Sequence, residues 1–425
     1  MERQVFKKLL DWKRRGCKKP LVLNGARQVG KTWLLQKLAS QEFENFIYVS
    51  LDQDQAARVL FEQGSNVESV AELLCAQRNI SANVEDILFI FDEIQTCPEA
   101  ITYLKYFNES DTDYKVAAAG SLLGLSTQYG SGWPVGKVET CNVYPLNFRE
   151  FLSSLDKTAY VKFMEEEKYD IIRGLSSELK EIYRNYLVVG GMPDAVATFL
   201  EEKDMQAVRR LQNQILEDYE RDFAKHADAN LLKKLFEIWS SIPQHLAREN
   251  KKFVFGKVRK GSRAKDYEEG LQWLEHAGLI SRCYRIKKPS IPLKAYADAK
   301  CFKVFGLDVG LLGAMAGLTP DSILSRSSMF EEFKGAMTEQ YVCSEFVSYG
   351  ITPYYWSAEN SSGEVDFLVE DNEYVYAIEV KSEENLKSKS LRAFKNKYDS
   401  IKALRISNSD YREQDWMKNI PLYMI

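Results

Sequence analysis

Long apolar runs are missing from this chain of 425 residues: none reaches 18 residues, and Met1-Glu2-Arg3-Gln4 opens no secretory signal. Because a membrane-crossing helix needs about 20 apolar residues, no membrane partner is expected, and the expected compartment is the cytoplasm. Histidine is scarce, at three residues, and the seven cysteines (Cys17, Cys75, Cys97, Cys141, Cys283, Cys301 and Cys343) include no Cys-x-x-Cys pair. That pattern disfavours structural zinc and a disulfide framework, and the odd count suits a reducing compartment. Tandem repeats and low-complexity linkers are absent too. A formal net charge of −4 argues against indiscriminate coating of nucleic acid but leaves local basic patches open. What remains is globular in composition, 45% hydrophobic and 28% charged. Its length predicts about two to four domains.

The most informative segment is Gly25-Ala26-Arg27-Gln28-Val29-Gly30-Lys31-Thr32, which follows the apolar run Leu21-Val22-Leu23 and precedes the helix-like stretch that starts at Trp33. Strand, glycine loop and helix in that order form a phosphate cradle: loop N–H groups turn inward, and the helix N-terminus adds partial positive charge. Lys31 is expected to reach the β- and γ-phosphates and Thr32 to ligate magnesium. The expected nucleotide-binding set is therefore Gly25, Ala26, Arg27, Gln28, Val29, Gly30, Lys31, Thr32 and Trp33. Downstream, Ile87-Leu88-Phe89-Ile90-Phe91 reads as a strand buried on both faces and ends in Asp92 and Glu93. Open parallel sheets bind ligands at this edge. Asp92 is expected to hold the magnesium shell and Glu93 to orient the water that attacks the γ-phosphate. Further strands are expected at Asn45–Leu51, from Tyr114 and at Val138–Tyr144. Ser121, after the fourth strand, suits either a γ-phosphate sensor or a turn former. Strands alternating with helices imply an α/β fold with a parallel sheet.

From about Tyr160 to Arg221 the pattern becomes helical, and Gly190-Gly191-Met192-Pro193 must interrupt it. This region reads as a helical lid with an internal loop. Between Asn230 and Arg285, three helix-like stretches closed by Ala277-Gly278-Leu279-Ile280 and a strand-like run suggest a winged helix-turn-helix. Residues 245–265 hold eight lysines or arginines against the single Glu249. Such a patch can neutralise DNA phosphates, yet winged helices also serve as protein spacers, and Asp266, Glu268 and Glu269 lie on the recognition-helix candidate.

A second constellation lies near the C-terminus. Gly363-Glu364-Val365-Asp366 opens one strand and Glu379-Val380-Lys381 closes the next, with a turn at Asp371-Asn372-Glu373. The period of two puts Glu379 and Lys381 on one face, and Asp366 can approach it. Glu339, in an upstream helical run, can supply a further carboxylate. Asp366, Glu379 and Glu339 with Lys381 would suit a magnesium or manganese ion and an activated water for phosphodiester hydrolysis. The same pattern also fits an ordinary amphipathic hairpin.

The P-loop, Phe91-Asp92-Glu93-Ile94-Gln95, Gly120-Ser121, Tyr144–Phe151, Gly190-Gly191-Met192-Pro193 and the acidic hairpin together resemble prokaryotic AAA-type ATPases with a C-terminal restriction-endonuclease-like domain of the PD-(D/E)XK superfamily. The resemblance implies an AAA-type P-loop domain at 1–155, a helical lid at 156–228, a winged-helix-like domain at 229–295 and a nuclease-like α/β domain at 296–425. It carries Lys31, Thr32, Asp92 and Glu93 as the ATP site and Glu339, Asp366, Glu379 and Lys381 as the nuclease-like site. Gly136-Lys137 stands where such chains often have Gly-Arg, so the sequence places no arginine finger at that position. Two functions follow. In one, ATP hydrolysis drives a DNA-associated protein whose C-terminal domain cuts or grips nucleic acid. In the other, nucleotide controls a regulatory switch whose C-terminal domain only binds protein or nucleic acid. The expected partners are ATP and DNA, with a homo-oligomer or protein partner left open.

Overall fold

Five parallel strands, β1 (Leu21–Gly25), β2 (Asn45–Ser50), β3 (Ile87–Asp92), β4 (Lys115–Ser121) and β5 (Glu139–Asn142), pair in the order β2-β3-β4-β1-β5 in a computed structural model. Residues 2–121, 133–358, 363–383 and 388–425 are described. β3 is buried at every position because it lies between β2 and β4 and is covered on both faces. Its Phe91 meets Phe61 edge to face at 5.3 Å, a geometry that adds about 0.5–1.5 kcal/mol to the area buried. Helix α1 (Gln4–Arg14) precedes β1, and α2 (Lys31–Glu42), α3 (Gln55–Glu62), α4 (Val67–Gln77) and α5 (Pro98–Glu109) provide the crossovers between strands. The register pairs Ser50 with Asp92 and Gly25 with Ser121. Loop, acidic pair and Ser121 therefore share the C-terminal edge of one sheet.

These elements belong to one compact unit, Glu2–Tyr144 with His276–Gly278, while Pro145–Glu275 with Leu279–Ile425 forms a second. The second unit contains an eight-stranded mixed sheet made of β6 (Ile280–Ile286), β7 (Ala297–Gly306), β8 (Tyr354–Ser357), β9 (Glu364–Glu370), β10 (Val375–Lys381), β11 (Lys402–Ser407), β12 (Arg412–Gln414) and β13 (Met417–Pro421), in the order β12-β13-β11-β10-β9-β8-β6-β7. The helix Lys389–Lys397 packs Leu391 and Phe394 onto one face with Leu368, Ala377 and Ala403. Among the described residues, no helix is long and apolar enough to cross a membrane.

Two expected divisions differ from this arrangement. The helices of the 156–228 segment group with the second unit. Their internal corner explains why: at Gly190-Gly191 the preceding helix ends, and its last carbonyls need partners. Gln212 Nε2 donates to Val188 O and Val189 O at 2.9 Å, and Asp308 accepts from the Gly191 N–H at 2.6 Å. The corner is thus a fixed joint in the unit's interior and no loop of an independent lid. The run expected to form a wing is β6, which forms an antiparallel hairpin with β7 and also pairs in parallel with β8 through Tyr284–Tyr354 and Arg285–Tyr355. A hairpin edge left unpaired exposes backbone N–H and C=O groups, and β8 satisfies them. The sheet consequently runs across the boundary expected near residue 295.

Candidate functional site

Gly25 ends β1, where an added Cβ would lie 2.4 Å from Val143 O, so only glycine lets the chain turn there. Gly30 adopts φ 91° immediately before α2, and the loop between them encloses the Lys31 side chain. Lys31 is 7% exposed and its ammonium donates to Gly25 O at 3.0 Å and Ala26 O at 2.7 Å. Burial lowers its pKa to about 8, against the pull of Glu93 and Asp92. A buried ammonium held, among the described residues, by two carbonyls is poised to exchange them for phosphate oxygens. Arg3 holds the loop from outside, donating to Val29 O at 3.1 Å and Tyr144 O at 2.5 Å.

Asp92 is buried at the end of β3, and its Oδ2 accepts from Thr32 Oγ1 at 2.6 Å and from the Tyr48 hydroxyl at 2.8 Å. Burial, reinforced by Asp92, raises the Tyr48 phenol well above its ordinary pKa and keeps it a donor. Asp92 Oδ1 accepts from the Glu93 N–H at 2.9 Å. Glu93 adopts φ 50°, the left-handed region that non-glycine residues rarely occupy, so the chain is strained where the carboxylate must turn off the strand. Gln95 donates to Glu93 Oε2 at 2.5 Å and accepts from the Ser121 N–H at 3.2 Å. Ser121 therefore connects to Glu93 through one amide. A magnesium ion fits this donor set, since hydroxyl and carboxylate already meet beside the loop. Lys137 pairs with Glu109 at 2.9 Å.

In the second unit the expected constellation divides. Glu339, on the helix Ser328–Ser348, is 6% exposed and is held by two lysines: Lys251 bonds its Oε1, and Lys303 lies 3.7 Å from its Oε2. Lys303 is fully buried on β7, 2.5 Å from Glu364 and 5.0 Å from the centre of the Tyr355 ring. Burial opposes its charge, but Glu339, Glu364 and Asp366 together outweigh that and raise its pKa. Burial also opposes the Glu339 charge, and Lys251 and Lys303 overcome it and hold its pKa low. Asp366 Oδ2 accepts from the Val380 N–H at 2.8 Å, and its pKa is pushed up to about 7 by burial and by Glu339. Glu379 is paired instead with Lys381 at 3.0 Å and registers opposite Arg405. Among the described residues, no group of three or more His, Cys, Asp or Glu is placed to hold a metal ion. Where a cation bridging Glu339, Asp366 and Glu379 was expected, ammonium groups already neutralise Glu339. The described residues give a second metal no support.

The basic stretch also divides. Lys257, Arg259, Lys260, Arg263 and Lys265 are exposed, whereas Lys251 turns inward to Glu339. Glu268 and Glu275, on the recognition-helix candidate Ala264–His276, are taken up by Arg282 of β6 at 2.8 and 2.5 Å.

Sequence reading missed Arg3, Tyr48, Gln95 and Lys303. For Lys303 a signal existed: it interrupts the apolar run Cys301-Phe302-Lys303-Val304-Phe305. Lysine is almost never fully buried unless paired, so its partners were implied there.

Residues 17–152 match the family described as AAA domain, residues 180–322 a domain of unknown function (DUF8612), and residues 334–425 another (DUF4143). An uncharacterised protein of Methanocaldococcus jannaschii is 21% identical over 400 residues, covering 91% of this chain and 80% of that protein. A Walker-type ATPase of Pyrococcus abyssi aligns at 15% identity and TM-score 0.46 over 74% of this chain and 95% of its own. The Orc1 protein of Aeropyrum pernix, solved in complex with DNA, aligns at 14% identity and TM-score 0.28 over 76% and 93%. The AAA-domain match, taken with the loop geometry, supports ATP binding and hydrolysis by the first unit. Over residues 17–152 the chain carries an α/β domain of the AAA, P-loop ATPase-like type.

Proposed function

We propose that the protein hydrolyses ATP at the edge of the five-stranded sheet and associates with DNA through its second unit, which binds without cutting. The contact between Thr32 and Asp92 at 2.6 Å, beside the caged Lys31 ammonium, carries the ATP reading. Lys31 exchanges the Gly25 and Ala26 carbonyls for the β- and γ-phosphates. Thr32 and Asp92 would hold magnesium, which would supply neutralisation of the charge on the phosphates. Glu93 orients the attacking water, and Gln95 keeps its carboxylate in register with Ser121, which can report the state of the γ-phosphate.

For DNA the supporting observation is the exposed group Lys257, Arg259, Lys260, Arg263 and Lys265, which makes no ion pair among the described residues. For the carboxylates it is the pairing of Glu339 with Lys251 and Lys303, which favours a structural ion-pair network over a nuclease centre. Replacing the five exposed basic residues by alanine should weaken duplex binding and lower the salt slope by about one unit per lost phosphate contact. Fluorescence anisotropy over a salt series reads this, and an unchanged slope would return the patch to a solvated surface. Plasmid incubated with the protein and magnesium or manganese should remain intact. Metal-dependent cleavage that disappears in Asp366→Ala would restore the nuclease reading.

A further inference from the structure

On the face of the eight-stranded sheet that carries the helix Lys389–Lys397 lies a groove of about 900 Å³. Arg285, Lys287, Lys389 and Lys397 line it together with the aromatic rings of Trp356 and Tyr398, and no described lining residue is acidic. Arg285 is neutralised by Asp298 at 2.7 Å, leaving its Nε buried without a partner among the described residues. Lys287, Lys389 and Lys397 are exposed and form no ion pair among the described residues. Trp356 is half-buried and braced by Phe394 at 4.7 Å, so one ring is held in place at the groove. Lys397 Nζ lies 5.9 Å from the Trp356 ring centre and 5.4 Å from that of Tyr398.

At the start of the helix bordering the groove, no side-chain cap is present among the described residues. The buried Oγ of its N-cap, Ser388, has no partner among the described residues. An uncapped helix start, lysines without ion pairs among the described residues and braced aromatic rings together meet a ligand that alternates anionic groups with flat rings.

We propose that this groove binds single-stranded nucleic acid, with phosphates at Lys287, Lys389 and the helix N-terminus, and with an unstacked base on Trp356 or Tyr398. Duplex DNA hides its base faces inside the stack and offers these rings nothing, whereas every base of a single strand presents one. The inference extends the nucleic-acid reading above but stands on different residues.

The test is anisotropy of a labelled oligothymidylate, and of a duplex of equal length, on the full chain. Trp356→Ala should weaken oligothymidylate binding by about 5- to 150-fold, the range of one lost stacking contact. Trp356→Phe should restore most of it. Lys389→Glu with Lys397→Glu, both exposed positions, should weaken it too and should spare duplex binding. The five-fold alanine variant of the 257–265 patch should do the reverse. Wild-type oligothymidylate affinity in the Lys389→Glu, Lys397→Glu protein would overturn the proposal. So would equal binding of an abasic strand, which shows generic polyanion attraction. Loss of duplex binding alone bears only on the patch.

Discussion

Glu93→Gln is expected to slow phosphate release by about 100- to 10,000-fold while leaving ATP affinity near the wild-type value, the range for losing a positioned group that acts on a proton in the transition state. Glutamine keeps the size of the side chain and can still accept from Gln95, so the left-handed backbone at Glu93 and the link to Ser121 persist. Only the carboxylate that polarises water is lost. Single-turnover phosphate release alongside a nucleotide titration separates the two quantities. Parallel loss of affinity and turnover would move Glu93 from the chemistry to the binding of the ground state.

The second large effect is on stability. Lys303→Ala should destabilise the second unit by about 3–5 kcal/mol, because it removes the fully buried partner of Glu364 and leaves the buried Glu339 with Lys251 alone. Asp366, already pushed up to about 7, loses the nearby ammonium that opposed the shift and should be protonated to still higher pH. The direction of the pH dependence follows. A carboxyl whose folded pKa lies above its unfolded value favours folding at low pH, and that contribution is lost as pH rises through the folded pKa. Urea melts of the wild type and Lys303→Ala at pH 6 and pH 8 measure both effects. An unchanged midpoint would mean that the network contributes nothing, and the cation expected between these carboxylates would become plausible again.

The nucleotide site was the more legible of the two centres because its chemistry is local in sequence. A strand, a glycine loop and a helix start lie within one stretch, and an all-apolar strand ending in two carboxylates announces a central position by composition alone. Tyr48 and Gln95 were hidden for opposite reasons. Tyr48 depends on the pairing of β2 with β3, which no single strand reveals, and Gln95 acts through an amide common to any surface turn. In the second unit, strand period joins Glu379 to Lys381, while Asp366 and Glu339 were added from a neighbouring strand and an upstream helix. Sequence reading could not see that Lys251 and Lys303, 88 and 36 positions before Glu339, reach the same carboxylate. The continuity of the sheet across residue 295 was hidden for a related reason: β6 looks like a wing until β8, far along the chain, pairs with its free edge.

Calorimetric titration of ATP with magnesium into the wild-type chain and into Lys31→Ala tests the central claim most directly. Lys31 is buried in the loop with its ammonium on two carbonyls that phosphate would displace. Removing one partner of a buried charge pair costs about 2–5 kcal/mol, so the variant should bind ~30- to 5,000-fold more weakly. Equal affinity in the two proteins would contradict the assignment of this loop as the ATP site.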